Sequence, residues 1–321
     1  MLVSFVIPCY HSEKTLAGVV DEIERTVPTL HACTAEIIMV NDNAPDACWT
    51  EIRRLCADHP EDRKGLCLSR NFGQHAALMA GIREAKGERV VCLDDDGQTP
   101  ADEVGKLLDA IEQGADVVYA SYGSGDRKQR SLFRNMGTSL NEHMAHSMLG
   151  KPKDLTVTSY FAMRRYVADE VLRYSNSYPY LIGLVLRTTT NIVNVPVTHR
   201  PRRQGSSGYT FGKLVSLWMN GFTAFSVKPL RAATAVGSVS AVAGFLYGIY
   251  TIVKKIVNPS VVLGFSSLMS AIVFFGGMTM LMVGMAGEYI GRMYIAVNEA
   301  PQYVVRETTA EGIKGDGSAD A

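Results

Sequence analysis

Two long segments without a charged residue, near the C-terminus, place the strongest limit on how this chain can fold. Ala232–Val253 and Val261–Gly287 contain no Asp, Glu, Lys or Arg, and only Lys254–Ser260 separates them. Each run exceeds the ~20 residues that a helix needs to cross a bilayer core. A buried core hairpin of a soluble protein is the weaker alternative, because uncharged runs of this length are rare outside membranes. The sequence therefore predicts a two-helix transmembrane hairpin at 232–290.

The side of the membrane follows from the N-terminus. Its apolar run, MLVSFVIPCY, is too short for a signal peptide, and no basic residue precedes it. Basic residues flank the outer ends of the hairpin but also lie in its turn, so the positive-inside rule adds little. We expect a multi-pass protein of the cytoplasmic (inner) membrane. A catalytic domain at 1–209 and a tail at 291–321 with a disordered end would both lie in the cytoplasm.

The segment before residue 210 alternates short apolar runs with segments of helical apolar spacing. The predicted strands are Leu2–Tyr10, Ala35–Asp42, Gly65–Ser69, Arg89–Asp96 and Ala115–Ser121. The predicted helices are Thr15–Val27, Asp46–His59, Gly73–Gly87 and Ala101–Gly114. Strand and helix in regular alternation indicate an α/β domain built on a mostly parallel sheet.

Acidic residues follow two of the predicted strands. Asp42 ends one strand, and Asp94, Asp95 and Asp96 end another. Ligands of parallel α/β sheets bind beyond the carboxyl ends of the strands. Neighbouring carboxylates repel unless a cation lies between them or one is protonated. Oxygen ligands suit Mg²⁺ or Mn²⁺, which bridge carboxylates to substrate phosphates. The triplet predicts such a metal site; capping of the helix near Ala101, or a solvated turn, remains the alternative.

Composition and spacing exclude several classes of protein. The net charge is zero and there is no basic tract, so nothing indicates a nucleic-acid partner. A dinucleotide-binding domain needs glycines in its first strand–helix turn, and Pro8–Thr15 contains none. The six cysteines all precede residue 100 and form no C-x-x-C pair, which is typical of reduced, buried thiols.

Several motifs, in a fixed order, carry a resemblance to a known family. In chain order they read VSFVIPCYHSEKTL, EIIMVNDNAPD, LSRNFGQHAALMAGI, DDDGQTPAD, GSSGYTFGKL, PLR and GEYIGRMY. This order resembles that of family 2 glycosyltransferases of the polyprenyl-phosphate type, which act on dolichyl or undecaprenyl phosphate. The resemblance runs from Leu2 to about Arg306. It implies a GT-A domain, with a mixed, mostly parallel sheet and flanking helices, followed by two C-terminal transmembrane helices.

The same resemblance implies roles for individual residues. Asp94 and Asp96 would be the catalytic acids that hold Mg²⁺ or Mn²⁺. The residues implied to bind a nucleotide-diphosphate sugar are Pro8, Tyr10, Asp42, Arg70, Asn71, His75, Asp95 and Gln98. Two of these have simpler alternatives, since Asn71 could cap a helix and His75 could lie on the surface.

The acceptor would be a polyprenyl phosphate. Its phosphate would contact residues of the segment RRQGSSGYTFGK, namely Arg202, Arg203, Ser207, Tyr209 and Lys213. Gly208 stands where the family pattern has a Lys, and a flexible surface turn is the simpler interpretation. Helical spacing of large apolar residues at 210–231 predicts an amphipathic helix in the membrane interface, with a core helix of the soluble domain as the alternative.

The implied reaction is an inverting sugar transfer at the cytoplasmic face. Ser159 stands where many family members have an Asp that has been proposed as base, so either no base is needed, Asp154 serves, or the alignment shifts. A processive synthase would show a Q-x-x-R-W motif and more spans. The remaining alternative is a membrane-anchored nucleotide-binding scaffold or sensor without turnover. Family members also include homotetramers.

Overall fold

The computed structural model describes residues 1–30, 32–122, 152, 154–198, 200, 228–258, 265–298 and 300–309. The chain divides into two compact units, one formed by residues 1–210 with 299–321 and the other by 211–298.

The first unit contains one sheet of eight strands with helices between them. The strands are β1 Leu2–Cys9, β2 Thr34–Asn41, β3 Arg63–Leu68, β4 Arg89–Cys92, β5 Val117–Tyr122, β6 Phe161–Arg164, β7 Ile192–Val197 and β8 Val305–Thr308. The helices are α1 Leu16–Thr26, α2 Cys48–Asp58, α3 Gln74–Glu84, α4 Val104–Glu112, α5 Arg165–Leu172 and α6 Leu181–Thr188. Short 3₁₀ turns occupy Val27–Thr29 and Ala101–Glu103.

The sheet is mixed and mostly parallel, as predicted. Its strand order is β7-β5-β6-β4-β1-β2-β3-β8. Among the eight strands of the described residues, only β6 and β8 run antiparallel to their neighbours. The carboxyl ends of the other six strands therefore meet at one edge of the sheet, and the loops that follow them are neighbours there.

The central strand β1 is buried on both faces because helices cover it on either side. Every residue from Val3 to Cys9 is buried, which explains its continuous apolar sequence. Helix α3 lies very close to this strand: a Cβ on Gly81 would come within 2.4 Å of Val6 Cγ1. A glycine at this position lets α3 lie directly against the sheet, which brings the first turn of α3 to the carboxyl edge.

The predicted elements before residue 122 are all present, with ends that differ by a few residues. The largest difference is β4, which ends at Cys92, so the aspartate triplet lies in a loop and not in the strand. The helix predicted at 101–114 begins instead as a 3₁₀ turn before α4. Strands β6, β7 and β8 were not predicted.

Strand β8 lies within the segment that the sequence assigns to a C-terminal tail. It pairs antiparallel with β3 at the edge of the sheet. Two further contacts hold it, since Trp49 Nε1 donates to Glu307 Oε2 at 2.9 Å and Gly65 N donates to Thr309 Oγ1 at 2.9 Å. The chain therefore returns to the same sheet after the apolar segments.

The described residues of the second unit form two long helices, α7 Lys228–Val257 and α8 Phe265–Val297. Helix α7 begins before the predicted hairpin limit at 232, and α8 ends after the predicted limit at 290. Residues 228–231 are predicted as part of an interfacial helix but belong to α7. Pro229 does not interrupt α7, because proline is tolerated in a first helical turn. The rest of that prediction, 210–227, lies outside the described residues. Within the described helices, Ala233–Tyr250 has the length and mean hydropathy, 1.4, of a membrane span.

Candidate active site

The predicted acidic site residues and Tyr10 lie in the loops that follow β1, β2 and β4. These three strands are adjacent in the sheet, with β1 in the middle. Tyr10 follows β1, Asp42 follows β2, and the triplet Asp94–Asp96 follows β4 at a distance of one residue. The parallel topology thus brings together acidic residues that are far apart in sequence.

Each carboxylate of the triplet accepts a hydrogen bond from a different part of the chain. Asp94 Oδ1 accepts from Gln74 Nε2 at 3.0 Å, and Asp94 Oδ2 accepts from Ser159 Oγ. Asp95 Oδ2 accepts from the backbone N–H of Tyr10 at 2.9 Å. The third acid folds back on its own loop, where the backbone N–H of Gln98 donates to Asp96 Oδ1 at 3.0 Å. The loop conformation is therefore held from several sides.

Asp95 has a strongly raised pKa. Burial raises its pKa to about 6, the neighbouring Asp94 and Asp96 add to the increase, and hydrogen bonds from the Tyr10 backbone and the Ser12 side chain oppose it. The charged form of Asp95 is thus disfavoured where three carboxylates share one loop. A cation bound beside the triplet would relieve this repulsion.

Asp42 holds the loop that precedes α3. Its buried carboxylate accepts from the backbone N–H of Phe72 at 2.7 Å and from that of Gly73 at 2.8 Å. Burial raises the pKa of Asp42, and these two bonds oppose the increase. Gly73 has φ 92°, a left-handed conformation that favours glycine. Asp42, predicted to bind the base or ribose, is thus seen here anchoring the loop 70–73.

The loop itself presents an exposed Arg70 and an exposed Asn71. The guanidinium of Arg70 lies over the ring of Phe72, 4.6 Å from its centroid. The N-cap of α3 is Gly73, so the alternative in which Asn71 caps this helix is wrong. Both side chains remain available to a ligand at the edge of the sheet.

His75 is half-buried, so the surface alternative describes it only in part. The imidazole packs edge-on against Tyr180, with 5.3 Å between ring centroids. Its Nδ1 is buried and has no hydrogen-bond partner among the residues that the structure describes. Burial lowers the pKa of His75 to about 4. His75 therefore packs as a neutral imidazole within the first turn of α3.

This burial predicts an acid-sensitive fold. In the unfolded chain His75 takes up a proton near its ordinary pKa of 6.5, whereas in the fold it does so only near 4. The unfolded state binds more protons between these values, so stability falls as pH decreases through this window, by up to about 3 kcal/mol. We expect His75→Gln to lose less melting temperature than the wild type between pH 7 and pH 4.

The control for this prediction is His59→Gln, since the His59 side chain is 51% exposed. Asp95 titrates in the same window with the opposite sign, but it is present in every variant and cancels in the comparison. An unchanged pH dependence in His75→Gln would contradict the assignment.

The remaining predicted donor residues differ in accessibility. Pro8 is predicted to line the nucleotide pocket, but it lies inside β1 and is buried, so it is part of the packed sheet. Tyr10 is 47% exposed and stacks edge-on with His11. Gln98 is half-buried and contacts Asp96 through its backbone.

Four site residues were missed by the sequence reasoning: Ser12, Gln74, Thr99 and Tyr122. Ser12 bonds Asp95, and Gln74 bonds Asp94. Burial raises the pKa of Tyr122 to about 12, with the Asp94 and Asp96 carboxylates adding and a bond to Thr99 opposing. A signal existed for three of them, because Ser12, Gln74 and Thr99 lie within the motifs that carry the family resemblance.

The acceptor residues Arg202, Arg203, Ser207, Tyr209 and Lys213 lie outside the described residues, as does Gly208. Their assignment remains a prediction.

The described residues around the acids suit a metal shared with a substrate. No set of three or more His, Cys, Asp or Glu side chains converges within the described ranges. Mg²⁺ and similar ions commonly use one or two carboxylates and complete their shell with substrate phosphates and water. Asp94 and Asp96 fit that pattern. Asp96 also borders a small cavity of about 130 Å³ formed with Gly97 and the first turn of α1.

Comparisons with known proteins agree with this architecture. The family model "Glycosyl transferase family 2" matches residues 4–172, and "GtrB C-terminal hairpin" matches residues 228–293. The chain is therefore membrane-associated through a C-terminal hairpin.

Two curated relatives share the name undecaprenyl-phosphate 4-deoxy-4-formamido-L-arabinose transferase. The protein from Photorhabdus laumondii is 31% identical over 98% of this chain and 96% of its own. The protein from Aeromonas hydrophila is 33% identical over 95% of this chain and 93% of its own.

A solved structure, mannosyl-3-phosphoglycerate synthase from Rubrobacter xylanophilus, shares the fold. Its TM-score is 0.51 at 16% identity, over 72% of this chain and 74% of that one. Because the family model covers just over half of the chain and the relatives span nearly all of it, the chain belongs to glycosyl transferase family 2.

Proposed function

We propose that this protein transfers a sugar from a nucleotide-diphosphate sugar to undecaprenyl phosphate or a similar polyprenyl phosphate, with inversion, at the cytoplasmic face of the membrane. The carrying observation is the set of acidic loops that the sheet brings together at its carboxyl edge, where Asp94 to Asp96 are each held by hydrogen bonds. The names of the relatives support the acceptor and make 4-deoxy-4-formamido-L-arabinose the first sugar to test.

The proposal includes Mg²⁺ or Mn²⁺ bound by Asp94 and Asp96. Such a metal supplies charge neutralisation for the departing diphosphate. Asp95 stabilises the site, because its hydrogen bond from the Tyr10 backbone connects the loop after β4 to the loop after β1. Arg70 and Asn71 are exposed on the loop that Asp42 anchors, and this exposure supports a role in contacting the donor.

The nucleophile of this reaction needs little activation. A phosphate monoester has a second pKa near ~6, so an acceptor lipid phosphate is largely ionised at neutral pH. One of its oxygens attacks the anomeric carbon while the bond to the nucleotide diphosphate breaks. Ser159 at the position of the family Asp is therefore compatible with turnover. Asp154, the other candidate base, is exposed in the turn before Leu155.

The path of the chain supports an even number of membrane crossings. Strands β1 to β7 of the sheet precede the apolar segments. Strand β8 follows those segments and pairs with β3 of the same sheet. Both outer ends of α7 and α8 must then lie on one side of the membrane. A two-span, multi-pass hairpin with the catalytic unit in the cytoplasm satisfies this condition.

The test is an assay of the detergent-purified full chain with Mn²⁺, undecaprenyl phosphate and a panel of UDP- and GDP-sugars that includes the 4-deoxy-4-formamido-L-arabinose donor. We expect nucleotide release that requires the lipid phosphate and occurs with one donor. Nucleotide binding without release from any donor would favour the scaffold alternative. Light scattering on the same sample measures whether the chain is a homotetramer.

A further inference from the structure

Ser159 occupies a position at which its hydroxyl controls one of the two candidate metal ligands. Its Oγ donates to Asp94 Oδ2, while Gln74 Nε2 donates to Asp94 Oδ1 at 3.0 Å. The two donors come from different parts of the chain, one from the segment before β6 and the other from the first turn of α3. Both oxygens of Asp94 are thus oriented by side chains that carry no charge.

The backbone around Ser159 is fixed on both sides. Thr158 Oγ1 lies 2.9 Å from the carbonyl oxygen of Ala120 and 3.0 Å from that of Tyr160. Tyr160 is fully buried, and its hydroxyl donates to the carbonyl of Pro100 at 3.2 Å. A side chain between two such anchored neighbours has little freedom, so the contact between Ser159 and Asp94 is built into the fold.

Neutral hydrogen bonds leave Asp94 able to bind a cation. An ionised carboxylate has about four lone-pair sites, so the bonds from Ser159 and Gln74 are compatible with a cation at the same carboxylate. A carboxylate at position 159 would behave differently. It has no proton to donate when ionised, and it would place a further negative charge against Asp94.

We propose that Ser159, together with Gln74, is a positioning residue that orients the Asp94 carboxylate for the divalent metal. The proposal rests on the proposed function and on its metal site. Ser159 acts through Asp94 and takes no proton from the acceptor. The serine is then a hydrogen-bond donor that this chain uses, and not the remnant of a lost base.

The direct test measures metal binding without turnover. Mn²⁺ alone is titrated into the full chain in detergent, and the relaxation of solvent water protons reports bound metal. We expect Ser159→Ala to bind Mn²⁺ about 10–100-fold more weakly than the wild type, which is the usual effect of losing a partner of a metal ligand. Ser159→Thr keeps the hydroxyl and should restore most of the affinity.

Gln74→Ala provides a second variant, because Gln74 is exposed and its loss should not impair folding. It should weaken Mn²⁺ binding in the same direction. The matched control is Ser177→Ala, which removes a half-buried hydroxyl that donates to the carbonyl of Ala300, away from the acids. Wild-type affinity in Ser159→Ala and in Gln74→Ala would overturn the proposal, as would a wild type that binds no Mn²⁺.

Ser159→Asp separates positioning from a missing base. If Ser159 positions Asp94, the substitution lowers transfer and Mn²⁺ affinity; an increase in transfer rate would overturn the proposal. The metal titration also separates this inference from the proposed function. If the wild type transfers no sugar but the Ala variant still binds Mn²⁺ more weakly and the Thr variant does not, the positioning role stands and the reaction assignment fails.

Discussion

Replacing Asp96 with Asn is expected to reduce sugar transfer by roughly two to three orders of magnitude, while the protein remains folded. Asn has nearly the same shape but carries no charge, and a metal that bridges to a departing diphosphate supplies several kcal/mol of transition-state stabilisation. Asp96 Oδ1 accepts from the backbone N–H of Gln98 in its own loop, and the amide oxygen of Asn can keep this bond. The measurement is the rate of lipid-phosphate-dependent nucleotide release.

The matched control is Asp109→Asn, since Asp109 is exposed on α4 and lies outside the acidic loops. It should transfer sugar at the wild-type rate. Equal turnover in Asp96→Asn and the wild type would remove Asp96 from the metal site. A cellular role that survives in Asp96→Asn would instead favour the nucleotide-binding scaffold, because a scaffold does not depend on turnover.

Much of the first unit could be predicted because its signals are local. A parallel strand buried on both faces has a continuous apolar sequence, as β1 does, and each amphipathic helix shows its own spacing. Alternation of the two then fixes the edge at which ligands bind. Asp42 and the aspartate triplet were therefore assigned to one crevice from the sequence, although they lie some 50 residues apart.

The rest depends on pairing between distant segments, which no local pattern reveals. Strand β6 has only four residues and runs antiparallel between β4 and β5. Strand β8 is equally short and reaches the sheet only after both apolar helices. The contact between Ser159 and Asp94 depends on β6, so its partner could not be inferred from the sequence even though the position itself had been noted.

The hydrogen-bond partners of Asp42 also could not be inferred from a local pattern, because they lie some 30 residues further along the chain. Asp42→Ala is expected to lower stability by about 2 kcal/mol, because it leaves two backbone N–H groups without their charged acceptor. The effect is moderated by the burial that raises the pKa of Asp42, since removing the carboxylate also removes its desolvation. A unit of this size should lose about 5 °C in melting temperature.

The larger consequence is expected in donor binding. Without Asp42 the loop 70–73 is no longer held to the end of β2, so Arg70 and Asn71 lose their fixed position at the edge of the sheet. We expect the donor KM to rise about tenfold or more, as a binding group becomes disordered. Asp42→Asn retains one acceptor oxygen for two donors and should fall between the wild type and the Ala variant in both measurements.

The control is Asp58→Ala, which removes an exposed partner of Arg54 in a surface pair and should change neither stability nor KM. Loss of stability in Asp42→Ala with an unchanged donor KM would show that the loop 70–73 does not contact the donor. A raised KM with unchanged stability would show that Asp42 contacts the nucleotide itself, as the family resemblance implies. The observed hydrogen bonds require both effects together: stability falls and the donor KM rises, each to a smaller extent in Asp42→Asn than in Asp42→Ala.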